Sequence, residues 1–298
     1  MISYNHRDWL VNLFQLKKAD TVRQLSPLIL IVCVYTYLVV YAEIHWLKIP
    51  ESSPLKNFTM FHSLLGFVIS MLLVFRTNTA YDRWWEGRKQ WGSLVNCSRN
   101  LAIKLNTMVP EEDISSRTFF RKIIPLFAYV LKRHLQAETT RLALDTELHP
   151  EIPGFDHTRH LPAQVVGAMV DRLSVLSKNN VLSGSQLLLI NPEIQTFMDV
   201  CGACERVKNT PIPYSYSTFI KKFIFLYIIT LPIGLAFTLH YVAVPIVGLA
   251  FYVLASLELI AEEIEDPFGK DDNDLPMERM AENIKKNVED IVQCQPAQ

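Results

Sequence analysis

Residues 223–257 include no charged side chain, and residues 25–41 include none either. An uncharged run of this length restricts a chain more than any motif does, because a helix of about 20 apolar residues crosses a bilayer. The longer run suffices for nearly two crossings, and His240 and Pro245 mark a tight turn within it, so a helical hairpin is expected. The shorter run stays apolar past Glu43 to Leu47, enough to span about 30 Å of hydrocarbon. Tyr41 and Trp46 at its end form an interfacial aromatic belt. Between the two runs lies a third apolar segment, residues 57–75, interrupted by Asn57, His62, Ser63 and Ser70. Such a segment is marginal against lipid and suits a helix that faces protein or a water path.

The basic residues orient these spans. Arg7, Lys17, Lys18 and Arg23 precede the first, the loop at 48–56 is short and mixed, and Arg76, Arg83, Arg88, Lys89, Arg99 and Lys104 follow the third apolar segment. Lys221 and Lys222 precede the hairpin. The consistent solution is four crossings with both termini in the cytoplasm. The expected fold class is therefore an all-α membrane protein. Its expected parts are a cytoplasmic segment 1–24, a transmembrane helix 25–47, a long helix 57–100 continuing into the cytoplasm, a helical cytoplasmic region 101–222, a hairpin 223–257 and a cytoplasmic segment 258–298. Within the cytoplasmic region Phe119, Phe120, Ile123, Ile124, Phe127, Val130 and Leu131 recur at three- and four-residue spacing, as do Met169, Leu173 and Leu176. Residues 149–162 hold three prolines and a glycine and are expected as a loop.

Several functions are argued against. With 29 basic and 30 acidic residues the net charge is -1, so no nucleic-acid partner is expected. The metalloprotease, P-loop, nucleophile-elbow and dinucleotide motifs are missing, and no enzyme activity is expected. The five cysteines are scattered; Cys201 and Cys204 form a lone C-x-x-C that reads as two small side chains on one helix face. His149, Glu151, Asp156, His157 and His160 cluster in the loop and offer ligands for a metal, but loop His and Asp are usually just solvated, and that is the expected reading. The apolar parts of the spans lack Asp, Glu, Lys and Arg, which argues against a proton-coupled transporter. No cleavable signal peptide is evident.

The most distinctive segment is F-R-T-N-T-A-Y-D-R-W-W-E-G-R-K-Q-W-G at residues 75–92, where an apolar helix becomes polar and aromatic without a break. C-E-R-V-K-N-T-P-I-P-Y-S-Y follows at 204–216 and I-E-D-P-F-G-K-D-D-N-D-L-P at 264–276. These three blocks, in this order and with spans at compatible places, resemble the bestrophin family of ion channels over residues 5–285.

The resemblance implies a homopentamer around one pore, with a hydrophobic neck on the second membrane helix and a cytoplasmic aperture. Counted back from Arg83 of the R-W-W block, the neck positions match Phe75, Met71 and Phe67, and the aperture matches Ile212 between Pro211 and Pro213. Arg83, Trp84, Trp85, Pro211 and Pro213 carry the signature. Positions i, i+4 and i+8 share one helix stripe, and rings of such residues gate by dewetting. Without the resemblance the same stripe reads as core packing. Animal members bind calcium after P-F-G; Asp271 and Asp274 match those acidic ligands, while Glu263 stands where the animal pattern has Gln. No cofactor is otherwise required. The implied function is passive transport of chloride or other small monovalent anions, with self-association, membrane lipid and monovalent ions as partners, in the cell inner membrane. A cation channel of the same fold and a secondary transporter for a small organic anion are the alternatives.

Overall fold

The computed structural model describes residues 21–47, 58–136, 154–156 and 158–292. Eight α-helices order the described residues: α1 (Thr21–Ala42), α2 (Phe58–Met108), α3 (Ile114–Gln136), α4 (Leu161–Lys178), α5 (Gly184–Asn209), α6 (Tyr214–Leu239), α7 (Ala243–Glu265) and α8 (Met277–Ile291). A π-helical turn, Glu43–Leu47, closes α1, and a 3-10 turn, His240–Val242, joins α6 to α7. The expected positions 1–20, the loop at 48–56, His149, Glu151, His157 and Cys294 lie outside the described residues.

Among the described residues three helical stretches are long and apolar enough to cross a membrane: Thr21–Leu47, Phe58–Met108 and Tyr214–Glu265. The last holds both arms of the hairpin. Asn57 lies outside the described residues, and the other three polar residues expected to make the second stretch marginal all have partners. Ser63 and Ser70 donate to the carbonyls of Thr59 and Gly66 one turn back, and the His62 ring bonds Phe58 O and Thr230 Oγ1.

Several expected bounds shift. The hairpin arms run from Tyr214 to Glu265, and the turn sits at His240–Val242, whereas Pro245 lies in the first turn of α7. A proline there removes only an N–H that the helix leaves unbonded anyway. His240 supplies the reversal, with φ 46°. The long helix runs to Met108 instead of residue 100, because nothing breaks it before Pro110, whose ring disfavours helical backbone at Val109. The expected loop 149–162 ends two residues early, since Leu161 and Pro162 open α4.

The chain divides into two compact units. The first contains the described residues up to Trp84, Pro211–Asp266 and Asp271–Asn273. Its core joins Ile69 and Leu73 of α2 to Ile220, Ile224, Ile228 and Leu231 of α6 and Val247 of α7. Small residues permit close backbone approach there: a Cβ on Gly248 would stand 2.7 Å from Cys33 Sγ. Tyr35 donates to the Ile229 carbonyl at 3.0 Å, in the turn of α6 that Pro232 disturbs.

The second unit contains Trp85–Thr210, Pro267–Lys270 and the described residues from Asp274 onward. Phe119, Phe120, Ile123, Ile124, Phe127, Val130 and Leu131 are all buried, as are Met169, Leu173 and Leu176, so both periodic patterns mark core faces. Arg117 closes the end of α2 by donating to the carbonyls of Asn106, Val109 and Pro110. A capping box of Ser183 and Gln186 opens α5.

Candidate functional site

Helix α2 has two opposed faces. Ile69, Leu73, Arg76 and Ala80 are buried at alternating four- and three-residue steps. Phe67, Met71 and Phe75 are 67%, 50% and 54% exposed. At about 100° per residue, the centres of the two stripes lie about 170° apart around the helix. The three expected neck residues therefore point away from the core of their own protomer. Their stripe continues backward to Leu64 and forward to Asn78 and Asp82, all exposed. Large apolar side chains directed outward from a packed helix belong to lipid, to another subunit or to a pore wall.

The buried face carries charge. Arg76 is 1% exposed, and its Nη2 lies 2.7 Å from Glu265 Oε2. Its Nε lies 3.5 Å from Oε2 of the buried Glu258. The remaining oxygen of Glu265, Oε1, accepts the backbone N–H of Ile212 at 2.7 Å. Arg83 Nε donates to the main-chain carbonyl of the same Glu265 at 2.9 Å, where α7 ends and its carbonyls lack helical donors. Trp84 Nε1 donates to Asn273 O at 3.1 Å, and its ring stacks on Tyr81 at 6.1 Å. The signature residues Arg83 and Trp84 thus fasten the chain that leaves α7. Trp85 is half exposed, and Pro211 and Pro213 are exposed on either side of the half-buried Ile212.

Reading the spans as free of ionisable groups missed Arg76, Glu258 and Glu265. The positive-inside pattern gives Arg76 a role in orientation alone, and a hairpin over 223–257 stops one residue short of Glu258. The available signal was the Arg that directly follows Phe75 in an unbroken helix, because a charge there must find a partner.

The acidic turn is split by burial. Asp271 is exposed and Asp274 is buried. Asn273 is engaged from both ends: its amide donates to Glu263 Oε2 at 2.8 Å, and its carbonyl accepts from Trp84.

Of the ligand-rich loop, His160 takes part in a cluster in the second unit. His134, His160 and Glu205 place three ligand atoms within 4.8 Å of one another. Glu205 Oε1 accepts from His134 Nε2 at 2.6 Å and from His160 Nε2 at 2.8 Å. His160 Nδ1 accepts the Ala163 N–H at 3.1 Å as the N-cap of α4, which leaves the proton on Nε2. Metal ligation through Nε2 would require the other tautomer and the loss of that cap. The trio is accordingly a hydrogen-bonded brace. Burial alone would push the Glu205 carboxyl up, but the bonds from His160 and His134 together hold it below its ordinary value. Cys201 and Cys204 are buried and free on α5. Burial drives both thiols up, that of Cys204 to about 12.

A family model described as bacterial/fungal bestrophin protein matches residues 1–290. A voltage-dependent anion channel-forming protein of Nostoc sp. is 34% identical over 273 residues, covering 89% of this chain and 87% of the relative. A second protein of that description, from Escherichia coli K12, is 34% identical over 75% of this chain and 73% of its own. Among solved structures, a bacterial bestrophin homologue from Klebsiella pneumoniae superposes with TM-score 0.78 at 25% identity, covering 90% of this chain and 98% of that one.

Proposed function

The chain belongs to the bacterial and fungal bestrophin family, and from that premise we propose that it is a homopentameric anion channel of the cell inner membrane. Chloride and other small monovalent anions pass down their gradient, first through a neck of Phe67, Met71 and Phe75 and then through an aperture at Ile212. The observation that carries this reading is the opposed stripe on α2: three large apolar side chains, half or more exposed, face away from the protomer core. Fivefold symmetry turns each into a ring. Apolar rings exclude water when narrow and conduct when the helices part, so the neck is the gate. Both termini face the cytoplasm in this arrangement.

No cofactor is required in this reading, and calcium at Asp271 and Asp274 is the less favoured alternative, since only Asp271 of the two is exposed. Calcium added to, or chelated from, both sides leaves the current unchanged.

A cation channel of the same architecture is the second reading. Asp82 favours it, since an exposed carboxylate continues the neck stripe two turns beyond Phe75 and its ring would attract cations. The reversal potential of purified protein in a planar bilayer under a KCl gradient decides between them. A value near the chloride equilibrium potential supports the anion channel, and one near the potassium potential the cation channel. No current from intact pentamers, with or without neck alanines, sinks both.

A further inference from the structure

We propose that Glu265 is a positioning residue that ties the aperture residue Ile212 to the neck helix. The inference rests on the neck and aperture roles assigned above. Phe75 and Arg76 are consecutive on α2, so any rotation or tilt of that helix moves both. Arg76 grips one oxygen of Glu265 at 2.7 Å, and the other oxygen holds the Ile212 N–H at 2.7 Å. A single planar carboxylate therefore joins a side chain next to the neck to the backbone of the aperture. Both bonds involve an ionised partner and are stronger than neutral ones. Helix α2 also holds Glu265 a second time, seven residues on, through Arg83 Nε and the Glu265 carbonyl.

Ile212 lies between Pro211 and Pro213, whose rings fix φ on both sides. Pro213 also confines Ile212, the residue before it, to extended backbone, so a displacement of the Ile212 N–H is passed to its side chain more than it is absorbed locally. Glu258, which is buried, stands 3.5 Å from Arg76 Nε and offers the guanidinium a second carboxylate as α2 moves. Opening the neck in this way carries the aperture with it.

The test uses purified detergent-solubilised pentamers carrying Ile212→Cys. The rate at which a charged methanethiosulfonate modifies position 212 is read by mass spectrometry of the peptide. Glu265→Gln cannot serve both a donor N–H and a guanidinium with charged oxygens, and labelling accelerates roughly tenfold, the scale of one lost charge-assisted hydrogen bond. Arg76→Lys accelerates it as well, although Arg76 does not touch Ile212. Combined with Glu265→Gln it adds nothing further. An unchanged rate in Arg76→Lys pentamers, or effects that multiply in the combination, overturns the proposal. If Arg76→Lys yields no pentamer, Glu265→Asp carries the test: it keeps the charge but is one methylene too short for both partners. Accelerated labelling then supports the link, and a native rate overturns it. Labelling requires no current, so a silent bilayer would count against the channel reading and leave this result to stand by itself.

Discussion

Replacing Phe67, Met71 and Phe75 together by alanine separates a pore wall from a core. Fully burying a Phe or Met side chain contributes about 1.5–3 kcal/mol. These three are 67%, 50% and 54% exposed in the protomer. Scaling by the buried fraction, the triple substitution costs roughly 2–4 kcal/mol of protomer stability in all. Were they core residues, each truncation would cost about 2–5 kcal/mol, and the sum would rival the about 5–15 kcal/mol that holds a typical domain together. The expected outcome is an intact pentamer, somewhat less stable, with a wider and wetter neck. Single-channel conductance in planar bilayers should rise several-fold, and the closed time should shorten. Thermal unfolding of the same preparation checks the stability estimate. Loss of folded pentamer, or an intact pentamer with native conductance, would refute the argument that this stripe lines the conduction path.

Four further outcomes follow from the geometry. Arg76→Met strands the buried Glu258 and the partly buried Glu265 and should cost about 3–5 kcal/mol in thermal unfolding, whereas Glu258→Gln leaves the 2.7 Å Arg76–Glu265 pair in place and should cost far less; the reverse order would contradict the pairing. Asp82→Asn removes a carboxylate from the neck stripe, and the reversal potential under a KCl gradient should move toward chloride; no movement would place Asp82 off the ion path. The Glu205 carboxyl titrates below its ordinary value, so its stabilisation is fully present above the usual carboxylate range and is lost as pH falls through the lowered value. Glu205→Gln should therefore melt lower than the native chain at neutral pH and converge with it in acid. Finally, burial raises the Cys201 and Cys204 thiols, and iodoacetamide at mildly alkaline pH should leave both unmodified until the protein unfolds; rapid alkylation would contradict their burial.

The spans, the helical fold class and the amphipathic faces were legible in the sequence because each rests on a local pattern. A run without charges reports its own preference for lipid, and residues such as Phe119, Ile123 and Phe127 report one face of one helix. The stripe of Phe67, Met71 and Phe75 was legible as a stripe, but its direction was not. The same i, i+4, i+8 spacing serves a core or a pore, and only the burial of Ile69, Leu73 and Arg76 on the opposite side shows that Phe67, Met71 and Phe75 face outward. Helix ends were misjudged where the stopping signal lay outside the apolar run, as with Pro110 beyond α2 and His240 ahead of Pro245.

The sequence by itself thus determined that this chain enters a membrane as helices and which residues mark its family. The tertiary structure alone decided how charge is accommodated there. Arg76, Ile212 and the Glu258–Glu265 pair are far apart in the chain, and no spacing rule links these three places. They meet because burying a guanidinium is costly unless carboxylates come with it, and the packing of α2 against α6 and α7 brings those carboxylates within reach.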